Sequence, residues 1–130
     1  MVAAAAVGRT DRGLATEAGY GMRAVHSVDG SAAVVDAPVP VSEWPVVQVA
    51  AAGICGSDLG LLKFGLPVTL GHEIAGILDG RTFCIEPTIA CGQCDQCAAG
   101  ATQRCRGPAP RGMLGLDHDG GMAERVAVPP

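Results

Sequence analysis

The hydrophobic positions of this chain fall in short runs separated by two-residue turns. Met22–Val28 and Ser31–Asp36 flank Asp29-Gly30, a pair suited to the type I′ turn of a β-hairpin because both of its residues must take positive φ. His72–Leu78 and Thr82–Ile85 flank a second such pair, Asp79-Gly80. The strongly apolar run Val46–Gly53 reads as a strand, and strict alternation puts Val47, Val49 and Ala51 on one face and Val46 and Ala50 on the other. A last strand is expected over Met122–Val128, after Gly120-Gly121. Helix is scarce: Ser57–Lys63 has room for two turns with Ser57 near the cap, and Gln93–Gly100 for one or two more. Short strands at close intervals with turn residues between them predict a small antiparallel barrel or sandwich, a mainly β fold with short helices.

Composition narrows this reading. Hydrophobic residues make up 48% of the 130 positions but aromatics only 3%, so the core must be built from Val, Ala, Leu and Ile. A net charge of −4 argues against the basic face that a nucleic-acid partner requires, and no nucleic-acid partner is expected. No apolar run approaches the roughly 18 residues needed to cross a bilayer, so no membrane partner is expected. Met1–Val7 is apolar, but no basic residue precedes it and Arg9, Asp11 and Arg12 follow too soon for a secretory leader. A cytoplasmic, reducing setting is therefore expected. Residues 1–21 show no clear period and are expected to be a disordered extension ahead of one domain, residues 22–130.

The strongest chemical signal is Cys91-Gly-Gln-Cys94-Asp-Gln-Cys97 followed by Cys105, a C-x2-C-x2-C-x7-C pattern. Four thiolates converging on one point suit a tetrahedral Zn²⁺ with Zn–S distances of about 2.3 Å. The intervening Gly92, Gln93, Asp95, Gln96, Gly100, Thr102 and Gln103 offer little apolar surface, so a metal clip is the natural organiser of the lobe at about residues 87–107. Two disulfides or unlinked thiols are the alternatives, and nothing in the sequence marks an oxidising compartment.

A second constellation precedes that lobe. Gly53-Ile54-Cys55-Gly56-Ser57-Asp58 closes one strand and Gly71-His72-Glu73 opens another. Cys55 and His72 are metal-ligand types at strand ends, and Asp58 and Glu73 are carboxylates suited to orient an imidazole or tune a metal's charge. On residue types alone a structural pair and a metal site both remain open. Cys84 alternates with Phe83 and Ile85 and reads as a small buried hydrophobe. His26 sits within the first strand without a partner motif, His118 in a solvated loop, and Trp44, beside Pro45, reads as a packing residue or a turn anchor.

Ala50-Ala51-Ala52-Gly53-Ile54-Cys55-Gly56-Ser57-Asp58 and Leu70-Gly71-His72-Glu73-Ile74-Ala75-Gly76 together resemble the N-terminal catalytic domain of zinc-dependent medium-chain dehydrogenases. So do Glu86-Pro87, the four-cysteine lobe and Asp119-Gly120-Gly121-Met122-Ala123-Glu124, in the same order. The resemblance implies a GroES-like β-barrel with a zinc-binding lobe. It implies that Cys55 and His72 ligate a catalytic zinc, with Glu73 beside that metal and able to ligate it. Ser57 would hydrogen-bond the substrate oxygen and pass its proton, and Asp58 would hold His72. Cys91, Cys94, Cys97 and Cys105 would hold a structural zinc. The implied substrate is a small alcohol or carbonyl compound.

Departures from the resemblance shape the remaining expectations. Gly60 stands where many alcohol-oxidising relatives have a relay histidine, so a proton leaving Ser57 must pass to water or another group. Gly19-Tyr20-Gly21-Met22-Arg23-Ala24 fits G-x-G-x-x-A in letters only, because no strand precedes it and a strand rather than a helix follows. NAD(P) is thus expected only through a domain outside these 130 residues, and the catalytic zinc is expected to be incompletely coordinated. Two function classes follow. One is the catalytic domain of an alcohol or polyol dehydrogenase, inactive as these residues alone; the other is a non-catalytic zinc-stabilised β domain that acts in association. Exposed barrel surface is the expected route to self-association or docking.

Overall fold

The computed structural model describes residues 4–5, 21–108 and 110–129. Its two hairpins stand where the Asp-Gly pairs place them. β2 (Met22–Val28) and β3 (Ser31–Ala37) join through Asp29 and Gly30 at φ 49° and 74°. β5 (Glu73–Leu78) and β6 (Arg81–Ile85) join through Asp79 and Gly80 at φ 50° and 74°. Both residues of each pair lie in the left-handed region, where Asp tolerates positive φ and Gly has no Cβ to clash.

β4 (Val46–Gly53) is the spine of a five-stranded sheet. β5 runs antiparallel along one of its edges and β6 lies beyond β5. On the opposite edge β9 (Arg125–Ala127) pairs with Val46–Gln48, and the two-residue β1 (Ala4–Ala5) pairs with Ala52 and Gly53. Apart from Ala4–Ala5, which form this strand, and Gly21, the extension expected over residues 1–21 lies outside the described residues. Every named strand ladder is antiparallel, including the short pair β7 (Thr88–Ile89) with β8 (Gly112–Met113). No helix among the described residues is long and apolar enough to cross a membrane.

The alternation expected for β4 holds only in its first half. The pairing with β5 slips between Val49 and Ala51, so Ala50 is a bulge and the inward set changes phase. Val47 is 1% exposed on one side of the bulge, and Ala52 rather than Ala51 is buried on the other. Across the ladder Gly76 leaves the space that Val47 fills, since a Cβ there would strike the valine side chain. Val47 anchors the main core with Ile74, Ile89, Leu114, Val126 and Val128, and Trp44 packs against it as expected. A smaller cluster of Met22, Ala24, Ala37 and Ala123 ties the β2–β3 hairpin to the segment ahead of β9.

That segment corrects the expected strand over Met122–Val128. Met122 O accepts the Val25 N–H at 2.8 Å and Glu124 N–H reaches Arg23 O, whereas Glu124 O accepts the Val49 N–H at 3.0 Å. The chain therefore crosses from β2 to β4 within three residues, and only Arg125–Ala127 lie in the larger sheet. Cys84 is also corrected: β6 turns Phe83 and Ile85 partly inward and leaves the thiol exposed. His118 is half-buried against Trp44, ring centroids 5.8 Å apart, rather than fully solvated.

Candidate metal centres

The end of β4 leads directly into α1 (Gly56–Leu62), and Cys55, not Ser57, is the N-cap residue. The reason lies in Asp58, the third helical residue, whose Oδ2 accepts the Cys55 backbone N–H at 2.8 Å. This reciprocal cap ties the helix start to the end of β4. Asp58 is only 3% exposed, and its other oxygen, Oδ1, makes no regular hydrogen bond. The group facing that oxygen is His72 Nδ1 at 3.4 Å, so a proton on Nδ1 satisfies the buried carboxylate and leaves Nε2 free to act as a ligand. Ser57 Oγ stands 3.4 Å from Nε2 and is exposed.

Glu73 completes the group. One ligand atom each from Cys55, His72 and Glu73 lies within 4.8 Å of the other two. Glu73 opens β5 directly opposite Gly53 in the ladder, and a Cβ on Gly53 would collide with the glutamate carboxylate. The glycine at the end of β4 is therefore what lets the carboxylate reach toward Cys55. Thiolate, imidazole and carboxylate form a donor set that suits zinc, and three protein ligands with an open fourth position is the usual form of a catalytic zinc site.

The second group is more local. Cys91 follows β7, Cys94 caps the short α2 (Asp95–Ala98), Cys97 lies within it, and Cys105 ends a 3-10 turn over Thr102–Arg104. All four sulfurs lie within 4.8 Å of one another, and none is in a disulfide. Cys91 and Cys97 sulfurs are 3.9 Å apart and those of Cys94 and Cys97 3.5 Å. A tetrahedron with Zn–S bonds of about 2.3 Å has S···S edges of about 3.8 Å, so the four sulfurs are set at zinc-site spacing. Gly107 makes room for this, because a side chain there would strike the Cys91 sulfur.

Backbone amides point at the sulfurs. The Cys91 N–H donates to Cys105 Sγ at 3.2 Å, and the Gln93 and Cys94 N–H groups donate to Cys91 Sγ at 3.4 Å. The Arg106 backbone N–H, with that of Cys97, lowers the Cys94 thiol to about 6. Cys105 is also lowered, first by the Cys91 N–H, whereas desolvation pushes Cys97 up to about 12. The polarity of the amides thus favours thiolate at two of the four positions before any ion arrives.

One feature of the first site was not apparent from sequence. Thr69, three residues before His72, is 2% exposed and held from two sides. Asp119 Oδ1 accepts its N–H at 2.8 Å, and His26 Nε2 lies 3.1 Å from its hydroxyl. Asp119 belonged to a recognisable motif, but nothing in that motif pointed at Thr69.

The described residues thus form a mainly antiparallel fold carrying one three-donor cluster and one four-thiol cluster. Residues 41–130 match the alcohol dehydrogenase GroES-like domain family, and the chain belongs to it. It is 30% identical over 108 residues to L-galactonate-5-dehydrogenase of Escherichia coli K12, covering 71% of this chain and 31% of that protein. It is 33% identical over 116 residues to an NAD-dependent alcohol dehydrogenase of Sulfurisphaera tokodaii, covering 71% and 33%. The cobalt- and zinc-bound thermostable alcohol dehydrogenase of Pyrobaculum aerophilum superposes with a TM-score of 0.72 at 26% identity, covering 83% of this chain and 39% of that one. The chain spans about a third of the length of these curated relatives.

Proposed function

We propose that these residues form the metal-bearing catalytic domain of an oxidoreductase that interconverts an alcohol, a polyol in particular, and its carbonyl compound with NAD(P). The observation that carries this reading is the convergence of Cys55, His72 and Glu73 within 4.8 Å, with exposed Ser57 3.4 Å from His72. A zinc ion held by these three would supply a Lewis acid that lowers the pKa of an alcohol hydroxyl. Ser57 takes the hydroxyl proton and, with open space around Gly60, passes it directly to solvent. Asp58 fixes the His72 ring by accepting from Nδ1–H, and its cap on Cys55 N–H sets the thiolate against the same ring. The four-cysteine lobe holds a second zinc in a structural role.

A nicotinamide held by a separate nucleotide-binding fold would supply the hydride acceptor. Dinucleotide domains are built on parallel sheets, and the ladders among the described residues are all antiparallel. The 130 residues by themselves are therefore proposed to bind metal and alcohol but not to turn over. A reducing, cytoplasmic setting belongs to the same reading, because both centres need free thiolates.

Cobalt substitution tests it. The protein should take up two Co²⁺ per chain, and Cys55→Ser should lose one. Adding a metal-directed ligand such as imidazole or a small thiol should perturb only the bands of the Cys55 centre. With NAD⁺ or NADP⁺ and a panel of polyols, the same protein should give no reduced-cofactor absorbance. A ligand response that persists in Cys55→Ser would sink the catalytic reading.

A further inference from the structure

We propose that Asp119 is a positioning residue for His72, acting through Thr69; the inference rests on the reading of Cys55, His72 and Glu73 as a metal site. His72 is not placed by regular structure from its N-terminal side, because residues 66–72 belong to neither helix nor strand. The position of the imidazole depends instead on how the three residues before it are fastened.

The fastening comes from two distant parts of the chain. Asp119 Oδ1 accepts the Thr69 N–H at 2.8 Å, and the three residues that follow donate in turn. Gly120 N–H reaches Thr69 O at 2.8 Å, Gly121 N–H reaches Gly71 O at 2.9 Å, and Met122 N–H reaches Leu70 O at 2.8 Å. From β2, Val25 O accepts the Leu70 N–H at 2.9 Å, and His26 faces the Thr69 hydroxyl. The backbones meet without side chains between them: a Cβ on Gly115 or Gly120 would strike the Gly71 main chain. Gly71 itself lies at φ 97°, a conformation open to it because it has no Cβ, and a Cβ there would strike Met122.

Among these anchors Asp119 is the one that sets register. Its side chain binds the first amide of the 69–71 segment, and the amides of Gly120, Met122 and Gly121 then meet the carbonyl groups of Thr69, Leu70 and Gly71. Removing that carboxylate leaves the buried Thr69 N–H without an acceptor and frees the segment to slide, which moves the His72 ring relative to Cys55 and Glu73. The link is positional, because Asp119 touches neither the ligand atoms nor a substrate.

Co²⁺ titration of the whole 130-residue protein provides the test, with the four-cysteine centre as internal reference. Asp119→Ala should weaken Co²⁺ at the Cys55 centre about 10- to 100-fold, the range for losing a partner behind a metal ligand, and shift its visible bands. The bands of the four-cysteine centre should stay unchanged. Asp119→Asn, which retains an acceptor oxygen, should restore most of the affinity. Wild-type affinity and bands in Asp119→Ala would overturn the proposal. Should far-ultraviolet circular dichroism and denaturant titration show Asp119→Ala to be unfolded, amide exchange in the wild type decides. Filling the Cys55 centre must then slow exchange at Thr69 relative to metal-loaded Cys55→Ser, and equal exchange in the two overturns the link. Wild-type protein that binds one Co²⁺ and matches Cys55→Ser in every respect would instead defeat the proposed metal site, and this inference with it.

Discussion

Asp58 Oδ2 accepts the backbone N–H of Cys55 at 2.8 Å while the other oxygen of the same carboxylate faces His72 Nδ1 at 3.4 Å. One buried side chain thus spans both halves of the candidate catalytic centre. Asp58→Ala should cost about 0.5–2 kcal/mol from loss of the helix cap, read as a lower midpoint in denaturant. It should also weaken metal at Cys55–His72–Glu73 by about 10- to 100-fold. Asp58→Asn keeps a cap acceptor and should recover the stability more fully than the metal affinity. Equal recovery of both would show that the carboxylate serves only the helix.

Gly53→Ala separates fold from site in a different way. The new Cβ would strike the Glu73 carboxylate, which can swing into solvent, and would lie 3.0 Å from the Glu73 Cβ, a tight contact relieved by a shift of a few tenths of an ångström. Stability should change little, whereas metal affinity at the first centre should fall as far as it does in Glu73→Ala. The comparison is made by titrating both variants with Co²⁺. Unchanged affinity in Gly53→Ala would exclude Glu73 as a ligand.

The four-cysteine lobe should behave as a self-contained ligand set. A synthetic peptide of residues 87–107 should bind one Co²⁺ with the intense charge-transfer bands of tetrathiolate coordination, and Cys94→Ser should abolish them. In the whole protein Gly107→Ala should weaken this centre alone, since the methyl group would press on the Cys91 sulfur. Ultraviolet difference spectra follow both.

Metal-free protein should show an ordered thiol reactivity. With its folded pKa lowered to about 6, Cys94 is mostly thiolate at pH 7 and loses that form as pH falls through 6. Cys97, raised to about 12, stays a thiol across the neutral range. Brief alkylation at pH 7 followed by peptide mass analysis should find Cys94 modified first and Cys97 last, with the Cys94 rate dropping below pH 6. Equal rates at the two positions would refute the ordering.

Large-to-small replacement should locate the core. Leu114→Ala, at a side chain 1% exposed in the main cluster, should cost about 2–5 kcal/mol. Val34→Ala, at a residue 70% exposed on β3, should cost far less. Denaturant unfolding of the two variants makes the comparison.

Hairpins and candidate metal ligands stood out in the sequence because their causes are local. Asp29-Gly30 and Asp79-Gly80 carry the positive φ of their turns in their own chemistry. The four cysteines advertise a ligand set through spacing alone, and Cys55, Ser57, Asp58, His72 and Glu73 stood out within two short motifs. What escaped depends on partners. The Ala50 bulge arises only against β5, so no alternation rule could show that Ala52 would replace Ala51 in the interior. Cys84 is exposed because of how β6 lies at the sheet margin, which composition does not encode. The fastening of Thr69 joins positions 43 and 50 residues away, a relationship that exists only once β2 and the 119–122 segment have met.

The difference in what holds the two clusters in place sets an order of events during synthesis. The lobe's four sulfurs lie within a single loop, so it can seize an ion as soon as Cys105 leaves the ribosome. The other centre draws on both strands at one end of the β4–β5 ladder, and the loop carrying its histidine is fastened by residues 119–122, which emerge later still. An ion at His72 therefore certifies a finished fold, whereas an ion in the lobe certifies only that the chain has been made.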